Sequence, residues 1–592
     1  MAKASGATIP AERVSIRNSQ VATDVARVSA RRTLLYVLLA LAVVPYFLDL
    51  GGSSIWDANE AFYVETPREM VERGDYVSPT FNYEPRFNKP VLSYWIVAAF
   101  YNLFGVSVAV QRVPIAFGAM VLIAAAFFLA AAANSSTEPE PRAPSSRRRA
   151  PSRLLASEAA VWAALGLAIT PRLLMFSRRI FIDIYVSMFM ALTLLFFALA
   201  ERYPARRRVF LVLMYGAVGL GVLTKGPVAA ALPALVFALY LLVFRELRRV
   251  TAMMLPAGML IVLAIVLPWY GAVYARHGWD YITAFFVGEN VARFTAGVGV
   301  ESSRGPLFYL PVVFSDSFPW SIFLFASAAT WLALRREGMA AREAGFRIRT
   351  LIWLWIVAIV LFFSLSAAKQ DLYIFPIVPA VAALGGLAAA RGGNPARYTA
   401  AAIGAMIGIC AAGVLVLFNA DSTAYSLEGA AAMGWLGVAG GAAVIVLAFL
   451  NRPHAALLAV AAAFTALNWV FVVKALPSFE RYKPVPAFAR TLQPRLEPDD
   501  VVATYDEALP SLVYYLGRHI EQLFLEEQLI GVFGSGRTVY AVLSTDNYAR
   551  LAGAIGVPTC IIDRRPTFDV KLKTVLARGP LPELVVITNR CR

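Results

Sequence analysis

"VLSYWIVAAFYNLFG" (residues 91–105) decides how the chain threads. The stretch is apolar but only 15 residues long, and a helix needs about 20 residues to cross the hydrocarbon core. If it crosses, the next apolar run, "VPIAFGAMVLIAAAFFLAAAA" (113–133), delivers "EPRAPSSRRRAPSR" (140–153) to the outside. That breaks the rule that Lys and Arg stay cytoplasmic. If it lies along the membrane surface, or dips in and returns, Arg147–Arg149 face inward. The same choice turns "ERYPARRR" (201–208), "FRELRR" (244–249), "RREGMAAREAGFRIR" (335–349), "ARGGNPAR" (390–397) and "NRPH" (451–454) inward as well.

Outward from that stretch, apolar runs recur along most of the chain. Of 592 residues, 59% are hydrophobic and 16% charged, where a soluble domain carries about 25% charged residues. The runs are too long and too uniformly apolar for barrel strands, so helices must satisfy the backbone in lipid. The reading is a polytopic α-helical membrane protein with about 13 spans, near 33–50, 113–133, 157–175, 183–200, 209–223, 227–244, 254–275, 306–333, 351–366, 372–390, 398–418, 432–450 and 456–475. Residues 1–32 read as a disordered, basic cytoplasmic tail, 33–475 as the transmembrane unit, and 51–90 as its large outer loop. After about residue 476, "VVATY", "TVYAVLS" and "ELVVIT" alternate with helix-like "LPSLVYYLGR" and "NYARLAGAIG". That pattern predicts a small α/β domain over 476–592, extracytoplasmic because the span count is odd.

The formal charge of +16 is accounted for by the inward loops, so nucleic acid is not an expected partner. Cys410, Cys560 and Cys591 lack metal spacing, and no structural disulfide is expected among them.

Charged residues of both signs collect where the threading places the outer face: Asp57, Glu60, Glu65, Lys89, Arg178, Arg179, Asp183, Lys225, Glu289, Arg293, Lys369 and Asp371. Basic residues on that side run against the charge rule, and an arriving anionic group is a physical reason for them. Local structure offers competing explanations. Thr66-Pro67-Arg68-Glu69 has the form of a capping box, with Thr66 as cap and Glu69 three residues on. Asp57 and Glu60 stand equally well for a helix start or for two carboxylates aimed at one substrate. Asp183 opens an apolar span, where a carboxylate without a partner is costly, so function is favoured there.

In order along the chain, "NEAFYVETPREMVERGDYVSPTFN" (59–82), "NKPVLSYW" (88–95), "LTKGP" (223–227), "PWY" (268–270), "RF" (293–294), "FPW" (318–320) and "SLSAAKQDLYIFPIVP" (364–379) resemble the C-type (GT-C) membrane glycosyltransferases. The nearest likeness is to the lipid A aminoarabinose transferases and the protein O-mannosyltransferase group, over about residues 33–390.

The resemblance implies a polyprenyl-phosphate sugar donor and transfer, with inversion, to a lipid or protein acceptor. Lipid A, another glycolipid or a protein hydroxyl would serve. The setting would be the outer face of a bacterial inner membrane, with the lipid bilayer itself as a partner. In the first outer loop the pattern expects Asp-Glu, and this chain has Asn59-Glu60 with Asp57 two residues earlier. The general base therefore falls on Asp57 or Glu60, with Asp183 orienting base or acceptor. Lys89 and Arg293, together with Lys225, Arg178 and Lys369, would hold the donor phosphate; Tyr63, Glu289 and Tyr373 would bind substrate. Where the aminoarabinose enzymes show Glu before the Lys-Pro and His after the later Glu, this chain has Asn88 and Asn290, so no metal or other cofactor is expected. A transporter or flippase of lipid-linked substrates is the rival reading; it calls for ionisable residues deep within several spans.

Overall fold

A computed structural model describes residues 30–57, 59–134, 157–296, 304–336, 343–419, 425–568 and 580–591. The expected disordered tail (apart from residues 30–32) and the Arg147–Arg149 loop lie outside them. Nine described helices are long and apolar enough to cross a membrane, or eleven if each of two bent pairs is one span. The two other expected spans, 33–50 and 227–244, correspond to a helix over 30–43 and to Val228–Val243, which is shorter. The protein is a multi-pass α-helical membrane protein.

Two expected spans are broken. Glu158–Ala168 and Pro171–Ser177 meet at 60°, and Pro306–Asp316 and Trp320–Arg336 at 116°. Prolines mark both breaks: Pro171 starts one second half, and Pro319 precedes the other. A proline has no N–H for the helix ladder, and its ring clashes with the preceding turn.

Leu92–Phe104 is a 13-residue helix. It follows the outer loop and is followed by Val108–Ala133. Arg112, in the first turns of that next helix, donates to the carbonyls of Leu50, Ser53 and Ser54, where the first loop begins. The start of the next helix therefore sits beside the loop that precedes Leu92–Phe104.

Ion pairs fix the two faces of the bundle. Lys225, ending helix Arg207–Lys225, pairs with Asp183 at the start of Ile182–Arg202. At the other end of Ile182–Arg202, Glu201 accepts from Arg207 and Arg249 at 2.8 Å each, and Arg249 also bonds Glu246 at 2.6 Å. Two of the basic loops, 201–208 and 244–249, thus meet at the end of Ile182–Arg202 away from Asp183.

The C-terminal domain, called the outer domain after its expected side, holds a five-stranded sheet. A short hairpin, β1 (Thr80–Phe81) and β2 (Glu84–Pro85), belongs to the first outer loop. The sheet comprises β3 (Val501–Tyr505), β4 (Glu521–Leu523), β5 (Val539–Ser544), β6 (Cys560–Pro566) and β7 (Glu583–Thr588), in the order β4-β3-β5-β7-β6. β3 pairs in parallel with β4 and β5, whereas β7 runs antiparallel to β5 and β6. The last apolar helical run continues to Tyr482, past the expected boundary near 475. Cys560 and Cys591 form a disulfide, against expectation: strand pairing brings Cys560 opposite Thr588, three residues before Cys591.

This domain is stitched to the first outer loop. Asn82 exchanges two hydrogen bonds with the Ile520 backbone, at 2.8 and 2.9 Å, and Tyr83 donates to the Gly517 carbonyl at 3.0 Å. The Tyr515 hydroxyl accepts from the Ile55 amide.

Candidate functional site

A cavity of about 750 Å³ opens where the first outer loop meets the starts of Ile182–Arg202 and Val228–Val243 and the segments 285–295 and 362–376. Five basic side chains line it, Arg86, Lys89, Lys225, Arg293 and Arg304, against three carboxylates, Asp183, Glu289 and Asp371. Tyr63, Tyr373, Asn88 and Asn290 complete its polar wall.

The wall changes character with depth. Ile182, Val186 and Met190 line it from successive turns of one helix, and Val228, Ala231 and Leu232 from another. The eight steps from Ile182 to Met190 cover about 12 Å of helix axis. A cationic rim thus leads into an apolar groove that runs along the spans.

Electrostatically, the rim is a set of shared ion pairs. Glu289 Oε2 accepts from Lys89 Nζ at 2.6 Å and from Arg293 Nη1 at 2.9 Å, and its other oxygen accepts from Asn88 at 3.3 Å. Burial pushes Lys89 down to about 8, because water no longer solvates the ammonium; Glu289 opposes that shift without cancelling it. Burial alone would raise the Glu289 carboxyl, but Lys89, Arg293 and Asn88 outweigh it and hold it below the usual carboxylate range. Lys225 pairs with Asp183 and lies 5.3 Å from the Tyr373 ring centre. Arg86 stacks 4.0 Å over Phe62, and Arg304 donates to the Lys369 carbonyl. Asn290 donates to the Phe285 carbonyl and folds back on its own helix.

Seven of the expected site residues meet here: Asp183, Lys89, Arg293, Lys225, Tyr63, Glu289 and Tyr373. Four do not. Glu60 is 1% exposed and bound at 2.7 and 3.0 Å by the guanidinium of Arg112, itself fully buried. Asp57 accepts from the Ser511 amide of the outer domain at 2.9 Å, and burial raises its carboxyl. Arg178 donates to the Pro45, Leu48 and Asp49 carbonyls, closing off the end of the first helical segment. Lys369 turns back to the Ser366 carbonyl at 2.6 Å. In each case a backbone or ion-pair partner nearby satisfies a charge that sequence position alone made look available.

The capping-box reading of Thr66–Glu69 also gives way. Asn59–Arg73 is one helix with Pro67 inside it, and Glu69 accepts from Thr80 and from the Tyr83 amide of the hairpin. Arg86 and Arg304 were not singled out from sequence, because nothing local separates them from other loop arginines. Asp371 was recognised only as an outer-face charge. Among the described residues, no three His, Cys, Asp or Glu side chains are grouped to hold a metal ion.

Known proteins resemble this chain in sequence and in fold. Residues 150–271 match the dolichyl-phosphate-mannose-protein mannosyltransferase family. An undecaprenyl phosphate-alpha-4-amino-4-deoxy-L-arabinose arabinosyl transferase of Pseudomonas aeruginosa (strain LESB58) is 33% identical over 370 residues, 60% of this chain and 60% of that protein. The corresponding transferase 1 of Pseudomonas fluorescens (strain Pf0-1) is 29% identical over 350 residues, 59% of this chain and 56% of its own length. The chain therefore spans less than two thirds of these relatives. In fold, it superposes on ArnT from Cupriavidus metallidurans bound to undecaprenyl phosphate with a TM-score of 0.73 at 21% identity, over 94% of this chain and 98% of that one. The apo form of the same protein gives a TM-score of 0.72 at 22% identity, over 94% and 97%. The resemblance to the C-type membrane glycosyltransferases holds in both sequence and fold.

Proposed function

We propose that the chain transfers a sugar from a polyprenyl-phosphate donor to a lipid or protein acceptor at the outer face of a bacterial inner membrane. One observation carries the reading: a rim of five cations sits directly above an apolar groove sunk between spans. That is the complement of a phosphate attached to a long isoprenoid chain. Lys89, Arg293 and Lys225 hold the phosphate. As the bond from the sugar's anomeric carbon to the phosphate oxygen breaks, they stabilise the charge left on that oxygen. Direct displacement inverts the anomeric carbon. Side-chain cations do this work in the proposal, without a metal or other cofactor. Asp183, bound to Lys225, orients the reacting groups, and Tyr63 and Tyr373 flank the sugar.

The Cys560–Cys591 disulfide supports an extracytoplasmic outer domain, because such bonds persist in oxidising compartments. The two basic loops at the opposite end support the same orientation, with the N-terminus inside.

The test is transfer by the full chain in lipid nanodiscs. Undecaprenyl-phosphate-linked 4-amino-4-deoxy-arabinose with lipid A is the first pair, followed by other undecaprenyl-phosphate sugars and protein acceptors. Turnover that disappears in Lys89→Ala and Arg293→Ala supports the reading. Binding of undecaprenyl phosphate that is unaffected by both changes sinks it.

A further inference from the structure

Asp57 and Glu60, the expected bases, are both committed outside the cavity. Of the three carboxylates that line it, Asp183 is tied to Lys225 and Glu289 to both Lys89 and Arg293. Those partners are the phosphate-binding cations themselves. Asp371 differs. Its partner, Arg172, does not line the cavity and approaches from behind the wall. The Asp371 side chain is also 42% exposed, against 9% for Asp183 and 17% for Glu289. It is the carboxylate that an incoming acceptor meets most openly.

The support behind Asp371 is built from both broken spans. Arg172 stands at the start of Pro171–Ser177, just past the first break. Its Nε lies 3.3 Å from Asp316 Oδ1, and Asp316 is the last residue before the second break. Asp316 is 3% exposed, and its other oxygen has no hydrogen-bond partner among the described residues. Interrupting a helix in the membrane exposes backbone groups and is tolerated where protein or a cavity takes them up. A buried carboxylate adds to that cost. Here the two interruptions bring an arginine between Asp316 and Asp371, so that Asp371 is held without using a cavity cation.

Building on the sugar-transfer reading, we propose that Asp371 is the general base and that Arg172 is the positioning residue that aims it. The acceptor hydroxyl gives its proton to the Asp371 carboxylate while its oxygen forms the bond to the anomeric carbon. The anomeric carbon–oxygen bond to phosphate breaks, and its electron pair stays on the phosphate oxygen as polyprenyl phosphate leaves. Protonated Asp371 then returns its proton to water.

The experiment uses the full chain in nanodiscs with the donor and acceptor that the wild-type protein turns over. Asp371→Asn is expected to lower kcat by about 10²–10⁴-fold, the usual contribution of a positioned base. Its dissociation constant for undecaprenyl phosphate should stay within about twofold of wild type, because Lys89, Lys225 and Arg293 are untouched. Arg172→Ala should lower kcat at unchanged phosphate binding, and Arg172→Lys should restore most of it. If Asp371→Asn does not fold, as read from its thermal unfolding, Asp371→Glu keeps the charge but shifts the oxygens and should still lose kcat more than about tenfold. Turnover of Asp371→Asn within about threefold of wild type overturns the proposal. So does a loss of phosphate binding as large as the loss of turnover, which makes Asp371 a donor-holding group. A wild-type protein that transfers no sugar from any lipid-phosphate donor overturns the sugar-transfer reading instead, and this proposal with it.

Discussion

Lys89 Nζ stands 2.6 Å from Glu289 Oε2, the same carboxylate oxygen that Arg293 uses. On the proposed function, Glu289 therefore occupies two of the cations assigned to the donor phosphate. Phosphate must displace it or share it. Glu289→Gln removes the competing charge, and undecaprenyl phosphate should bind several-fold tighter at pH 6.5. Isothermal titration calorimetry reads this directly, and unchanged or weaker binding contradicts it.

The same pair sets a pH dependence. In the proposed function Lys89 holds phosphate only while protonated, and burial pushes its ammonium down to about 8. Binding should therefore weaken as the pH rises through about 8. Glu289 favours the ammonium, so Glu289→Gln should move that alkaline limb to lower pH. Dissociation constants measured across the limb for both proteins check the direction of the shift.

Glu60 and Arg112 make a different prediction. Breaking a buried ion pair by removing one partner costs about 3–5 kcal/mol, because the other charge stays buried and uncompensated. Arg112→Met should thus lower the thermal unfolding midpoint sharply. The double change Arg112→Met with Glu60→Leu should recover a large part of the loss. A stable single variant would mean that the first outer loop does not depend on this pair.

The groove is tested by length. Val186→Trp places an indole on the apolar wall below Asp183. Turnover of an undecaprenyl-linked donor should fall more than tenfold, whereas a donor with a two-isoprene tail should be used nearly as well as by wild type. Equal losses for both tails would place the isoprenoid elsewhere.

The Cys560–Cys591 bond closes a loop with a sequence separation of 31. Chain entropy assigns such a loop about 3–4 kcal/mol. Replacing both cysteines by serine should lower the unfolding midpoint of the outer domain and leave phosphate binding intact, since neither residue lines the cavity. Hydrogen exchange resolved by peptide separates the two regions.

Much of the fold was legible because hydropathy and charge act over long windows. The surface lie of 91–105 was read from one charge argument; Arg112, bonded to the Leu50 and Ser53 carbonyls, sets the start of the following helix beside the first loop. The bends at Ile169–Thr170 and Ser317–Pro319 were not legible, since each broken span has the composition of an intact one. In the site, Lys89, Lys225, Arg293 and Asp183 were found because charge on the outer side demands a reason. Glu60 and Arg178 satisfied the same criterion and have structural partners, because a buried partner such as Arg112, 52 residues away in sequence, is invisible to a local reading. The disulfide was missed because strand order, not spacing, brings its halves together.

The clasp between Asn82 and Ile520 also bears on how such proteins can be recombined. Helix Asn59–Arg73, which supplies Phe62 and Tyr63 to the cavity, leads directly into the hairpin that the outer domain grips. Exchanging that domain alone with a homologue would unhitch the hairpin from its mate. The two segments, more than 400 positions apart, form one unit of inheritance, and a working hybrid has to take both from the same parent.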